Sequence, residues 1–214
     1  MYALGSSSSG FGGNKTVILD EGMTSVPAIT PVPTGFIDCE NVSWAKDSIL
    51  RLNKMGIING KNANTFAPND NTKREEFVKM LLLSSGIEPD AGATTNFGDV
   101  PSDSWYAPYV AKAVSLGIVT GVSDTEFGIG KEITRQDMAV LCYRMLAYLN
   151  KSVQTSDVYE FADESSISDY ALESVKAMQG LGVIKGMDNN RFEPRALATR
   201  AQVAVVIDRL MNLK

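Results

Sequence analysis

The segment EITRQDM, residues 132–138, reads as the opening of a helix with one residue that does not suit it. Thr134 is a good N-cap, and Asp137 three residues on gives a capping-box-like pair. Between them stands Arg135, a cation in a first turn whose partial positive charge prefers Asp or Glu. The chain makes the same choice twice more. TKREEF (72–77) and ATRAQV (198–203) put Arg74 and Arg200 in the equivalent place. The three arginines lie 61 and then 65 residues apart, so the fold must be that of a repeating unit.

Working outward, other features keep the same spacing, apart from one extra residue between Asp163 and Tyr170. Phe36-Ile-Asp38 recurs as Phe97-Gly-Asp99 and Phe161-Ala-Asp163. Trp44 matches Trp105 and Tyr170, and GIING (56–60) matches GIVTG (117–121) and GVIKG (182–186). Six residues after each second glycine comes Phe66, Phe127 or Phe192, and eight residues after each of these comes the arginine. Each copy predicts helix, loop, helix. In the first helix Ile49, Leu52 and Met55 align with Val110, Ala113, Leu116 and with Val175, Met178, Leu181, giving one apolar face. Gly56, Gly117 and Gly182 suit the left-handed residue after a helix end. The second helix carries apolar residues 3, 6, 7 and 10 positions beyond its arginine, such as Met138, Leu141, Cys142 and Met145. A pair of short amphipathic helices cannot hide its apolar faces alone, so units must pack on one another. Nothing resembles a polar capping repeat, which favours closure around a pseudo-threefold axis over a linear stack. The expected organisation is a linker over 1–35, with TVILD (16–20) a possible short strand, then repeats over 36–96, 97–160 and 161–214 forming one compact domain.

Bulk composition narrows the function classes. The chain has 214 residues, 44% hydrophobic, with net charge −5 and pI about 4.9. Such a chain gains nothing from nonspecific attraction to nucleic acid or anionic membrane, so an anionic ligand needs a local, shaped site. No apolar run approaches the length of a membrane span. Residues 1–13 carry neither the basic region nor the apolar stretch of a secretion signal, which leaves a piece of an exported protein and a cytoplasmic protein both open. Histidine is absent, removing the commonest general base, and the repeated acids come one per unit rather than in pairs. The expectation is a protein that is not an enzyme and that uses no cofactor. Cys39 and Cys142 are expected as buried free thiols. The NDN (69–71) and DNN (188–190) clusters fit turn chemistry better than a calcium loop, so no metal site is expected.

Taken in order, Phe-x-Asp, Trp-Ala, Gly-Ile-x-x-Gly, Phe-x-Pro and Thr-Arg-x-(Glu/Gln), three times over, resemble the S-layer homology (SLH) domain family. The resemblance covers residues 36 to about 214. It implies an all-α fold, a monomeric pseudo-trimer of three SLH repeats around a central bundle. It also implies non-covalent anchoring of an exported protein, with its cargo domain upstream, to the cell wall or S-layer of a Gram-positive-type bacterium. The implied partner is a secondary cell-wall polysaccharide carrying pyruvate ketals, often on N-acetylmannosamine, held in grooves between repeats. The arginine would meet the pyruvate carboxylate. Copy two departs by Asp137 at the acidic position and Ile129 in place of proline, copy one by Lys73, and copy three by Tyr170 in place of tryptophan. In copy one, Thr72 and Glu75 offer a cap one residue earlier.

The residues expected at a ligand are Arg74, Arg135 and Arg200, with Glu76, Asp137 and Gln202 on the same helix turns. Trp44, Trp105 and Tyr170 are expected as half core and half groove wall, where an aromatic ring can stack on a sugar face. Gly60, Gly121 and Gly186 serve a turn or admit a ligand to the backbone. Asp38, Asp99 and Asp163 either cap the first helix or bind sugar hydroxyls. For the arginines the residues leave two readings open, a ligand carboxylate or a salt bridge to the neighbouring repeat. The rival function is a helical protein–protein scaffold of the cell surface without direct sugar binding.

Overall fold

The computed structural model describes residues 35–89, 91–151 and 158–213. The expected linker, apart from Gly35, and the TVILD strand lie outside them. Six α-helices follow in order: α1 (Ser43–Lys54), α2 (Arg74–Ser84), α3 (Ala107–Ser115), α4 (Arg135–Tyr148), α5 (Asp169–Gly180) and α6 (Arg200–Met211). Short 3-10 turns occupy Ile37–Val42, Glu164–Ser166 and Asp188–Asn190. Among the described residues the only β-type pairings are isolated bridges.

The first helix of each unit ends as its glycine requires. Gly56 N–H donates to Asn53 O and Ile57 N–H to Leu52 O, the double bond of a Schellman motif. Gly117 with Ile118, and Gly182 with Val183, repeat it. These glycines have φ of 73°, 70° and 67°, which a side chain adopts only at a cost. The last apolar position of each first-helix stripe is corrected. Met55 is exposed, and Leu116 and Leu181 are half-buried, because each is the C-cap residue where the chain turns away from the core. Ile49, Leu52, Val110, Ala113, Val175 and Met178 are buried as expected.

The second helices carry more of the core than the first. α4 buries Met138, Ala139, Val140, Leu141, Cys142, Met145 and Leu146, more than one stripe. They are wrapped on several sides because each packs against the first helix of the next unit: α2 on α3, α4 on α5, α6 on α1. The second helix α2 also meets α4 and α6.

At the hub, three equivalent residues bond in a ring. Ile133 N–H donates to Thr72 O at 2.9 Å, Ala198 N–H to Ile133 O at 2.9 Å, and Thr72 N–H to Ala198 O at 3.0 Å. All three are buried. Two positions on, Arg74 N–H donates to Lys131 O, Arg135 N–H to Ala196 O and Arg200 N–H to Asp70 O. The first-turn N–H groups that a helix leaves unpaired are thus used to join one unit to the next.

Candidate functional site: three inter-unit grooves

Thr134 and Thr199 cap α4 and α6, each accepting a hydrogen bond from the N–H three residues on. The cap of α2 is corrected. The helix begins after Lys73, whose N–H donates to Glu76 Oε2, while Thr72 is buried at the hub and Glu75 accepts from Gly130 N–H. Thr72 and Glu75 therefore do not cap it.

These caps aim the three arginines at the loop of the next unit. Arg74 Nε donates to Phe127 O at 3.3 Å, Arg135 Nε to Phe192 O at 2.8 Å, and Arg200 Nε to Phe66 O at 2.9 Å. Arg135 Nη2 also donates to Lys185 O and Arg200 Nη2 to Asn59 O. Each guanidinium lies over the ring of the same phenylalanine, at 5.3, 5.2 and 4.4 Å from its centroid. A cation in a first turn costs roughly 0.3–1 kcal/mol. Charge-assisted hydrogen bonds of roughly 1.5–3 kcal/mol, with the ring beneath, outweigh it. Burial pushes all three guanidinium groups down from the ordinary arginine range, yet arginine stays cationic. The main structural partner is thus backbone carbonyl oxygen, two for Arg135 and Arg200 and one for Arg74, rather than a salt bridge. Of these three arginines, only Arg74 has a carboxylate of the described residues within ion-pair distance, Asp137 Oδ2 at 3.7 Å.

The phenylalanines are themselves fixed by the aspartates. Asp38 accepts from the N–H groups of Phe66 and Ala67, Asp99 from Phe127, Gly128 and Ile129, and Asp163 from Phe192 and Glu193. Neither carboxylate oxygen of these residues caps a first helix, so the capping expectation is corrected. The α1, α3 and α5 N-caps are Val42, Tyr106 and Ser168, without a side-chain bond. Burial raises the Asp99 and Asp163 carboxyls, but the backbone N–H bonds more than offset it and hold both below the ordinary value.

Twelve of the fifteen expected residues line three grooves, four to each. Groove one, about 230 Å³, takes Gly60, Glu76, Trp105 and Arg200. Groove two, about 480 Å³, takes Arg74, Gly121, Asp137 and Tyr170. Groove three, about 410 Å³, takes Trp44, Arg135, Gly186 and Gln202. Each groove therefore joins three units: a glycine turn and helix from one, an arginine from the unit before, and an aromatic from the unit after. The aspartates Asp38, Asp99 and Asp163 line none of them. The aromatics are more groove wall than core, with Trp44 60%, Trp105 53% and Tyr170 60% exposed. The glycines serve packing. A Cβ on Gly60 would stand 2.4 Å from Phe36 Cε1, and one on Gly121, where φ is +79°, 2.6 Å from Phe97 Cε1.

Sequence reasoning missed the second cation of each groove. Lys79 lines groove one with its Nζ over the rings of Trp105 and Tyr109, at 5.5 and 5.7 Å. Arg144 lines groove two and donates to Thr120 Oγ1, and Arg209 lines groove three and donates to Val183 O. Arg144 and Arg209 each follow a first-turn arginine by nine residues, a signal hidden because copy one has Leu83 there. Lys61 and Lys185 add charge to grooves one and three. Cations outnumber carboxylates in every groove of an acidic chain, and a cleft of one sign attracts the opposite ion. Among the described residues no His, Cys, Asp and Glu cluster suits a metal ion.

The repeating unit matches a known family. The family described as S-layer homology domain matches residues 36–78, 96–139 and 160–204. An endoglucanase of Bacillus sp. (strain KSM-635) is 31% identical over 177 residues, 82% of this chain and 18% of the relative. The surface-layer 125 kDa protein of Lysinibacillus sphaericus is 32% identical over 191 residues, 86% of this chain and 16% of the relative. A cellulosome-anchoring protein of Acetivibrio thermocellus is 27% identical over 163 residues, 73% of this chain and 35% of the relative. The chain thus spans a minor part of the length of each.

Proposed function

The chain belongs to the S-layer homology domain family, and from that premise we propose that it is a non-enzymatic module anchoring a larger protein to the cell surface or S-layer. Its ligand is a cell-wall polysaccharide of a Gram-positive-type bacterium carrying pyruvate ketals. The grooves are its sites, and Arg74, Arg135 and Arg200 are the cations that line them, available to meet the carboxylate. The hub ring supports closure of the three repeats, 36–96, 97–160 and 161–214, around a pseudo-threefold axis within one monomer. The observation that carries the reading is the convergence in each groove of an arginine, a glycine turn and an exposed aromatic from three different units. An acidic sugar needs those parts together: a cation for its carboxylate, backbone close by for its hydroxyls, and a ring face for its C–H surface. Similarity to enzymes such as the endoglucanase fits a shared anchoring part, since the match covers 18% of that protein.

The test is co-sedimentation with purified wall polymer before and after mild acid removal of pyruvate. Binding lost with the pyruvate supports the reading, and equal binding to both preparations overturns it. Binding to an S-layer protein in the absence of polymer would favour the scaffold instead.

A further inference from the structure

Groove two differs from the others at two positions that touch. Glu76 Oε2 and Gln202 Oε1 fold back onto the N–H of their own helix caps, Lys73 and Thr199. Asp137 is one methylene shorter and does not make that bond. Its Oδ2 takes the Thr134 hydroxyl at 2.8 Å, and its Oδ1 takes the hydroxyl of Tyr170 at 2.9 Å from the next unit. Tyr170 is held in turn by Gln136 Nε2, which donates to its oxygen at 2.9 Å. The carboxylate so fixed stands 3.7 Å from Arg74 Nη1. In grooves one and three the aromatic is a tryptophan, which has no hydroxyl to offer, and among the described residues Arg200 and Arg135 have no carboxylate within ion-pair distance. Groove two also has no lysine in its lining, where groove one has Lys61 and Lys79 and groove three has Lys185.

We infer that groove two is internally liganded: Asp137, locked by Tyr170, occupies the place of a ligand carboxylate on Arg74, so the acidic sugar binds at grooves one and three only. This rests on the proposed pyruvate reading and assigns it a stoichiometry of two rather than three. An incoming carboxylate at groove two meets a like charge, and displacing Asp137 breaks its bonds to Thr134 and Tyr170 together. Partial burial, and then the hydrogen bond to Asp137, push the Tyr170 phenol up to about 12, so the lock keeps its proton across the physiological range.

The experiment titrates the protein with a methyl N-acetylmannosaminide bearing a cyclic pyruvate ketal. Calorimetry counts sites, and the arginine Nε–Hε resonances report each groove separately. The expected result is two sites, with the Arg135 and Arg200 resonances shifting to saturation and that of Arg74 unmoved. Arg135→Ala and Arg200→Ala each lower the count by one. Asp137→Glu with Tyr170→Trp gives groove two the residue types of groove one, raises the count to three and brings in the Arg74 resonance. Circular dichroism confirms that this variant is folded, and Tyr170→Phe alone offers a milder release of the lock. Three sites in the unaltered protein, or a saturating shift at Arg74, overturn the lock while leaving the pyruvate reading intact. No shift at any arginine overturns both.

Discussion

Tyr170 and Asp137, on different units, are joined by a 2.9 Å hydrogen bond, and both occupy positions where this chain departs from its own repeat pattern. Each departure alone reads as drift. Together they form one contact, since a tyrosine supplies the hydroxyl that a tryptophan lacks and an aspartate supplies a carboxylate too short to bond the backbone N–H of its own cap.

Acid should loosen the loops that hold the phenylalanines. The folded carboxyls of Asp99 and Asp163 lie below their ordinary values, so their contribution is present above the unfolded value of about 3.9 and lost as pH falls through the folded one. Thermal midpoints should hold from neutrality to about pH 5 and drop below about pH 4. Asp163→Asn should cost roughly 1.5–3 kcal/mol at neutral pH and flatten the acid limb. Calorimetry across pH checks both, and an unchanged acid limb in Asp99→Asn and Asp163→Asn would assign it to other carboxylates.

The first-turn arginines should matter for folding without any ligand. Arg135 is 4% exposed and serves the carbonyls of Phe192 and Lys185. Arg135→Ala strips both, at roughly 1–3 kcal/mol for each buried acceptor left unpaired. At about 2–4 °C per kcal/mol for a domain of this size, the midpoint falls by several degrees. Arg135→Lys keeps the charge but not the planar fork, and should recover only part of the loss. A midpoint equal to that of the unaltered protein in Arg135→Ala would contradict the inter-unit role.

Thr72 presents the opposite case. Its hydroxyl is buried at the hub without a partner, where the equivalent residues are Ile133 and Ala198. Thr72→Val keeps the shape and removes the unpaired group, so stability should stay level or rise by about 1 kcal/mol. Chemical denaturation measures it, and a clear loss would mean that the hydroxyl is satisfied in solution.

The two thiols should be silent in the native state. Cys39 and Cys142 are buried and unpaired, and burial pushes the Cys142 thiol up to about 12. Burial also raises Cys39, with the neighbouring Asp38 adding to it. A thiol-reactive chromogen at pH 8 should report no reaction in the folded protein and both cysteines in denaturant. Native reactivity at either would show that its helix opens readily.

The repeat, the helix ends and the core stripe were legible because they depend on near neighbours in the chain. Gly56, Gly117 and Gly182 announce a left-handed turn by lacking a side chain, and the 3, 6, 7, 10 pattern beyond Arg135 marks one helix face. Twelve groove residues could also be named, because they are four positions that the chain repeats three times. What no spacing could say is which unit supplies which part. Arg200 serves a groove whose turn is Gly60 and whose aromatic is Trp105, three residues separated by most of the chain. Only packing each second helix on the next unit's first helix brings them together, since that is what buries faces a single unit cannot cover. The same packing removed Asp38, Asp99 and Asp163 from the site by giving their oxygens to backbone N–H groups, and it set the Tyr170 hydroxyl against Asp137. Local pattern along the chain was enough to establish three units and an arginine in each. Tertiary contact, which fixes distances between residues far apart in the chain, decided what each arginine faces.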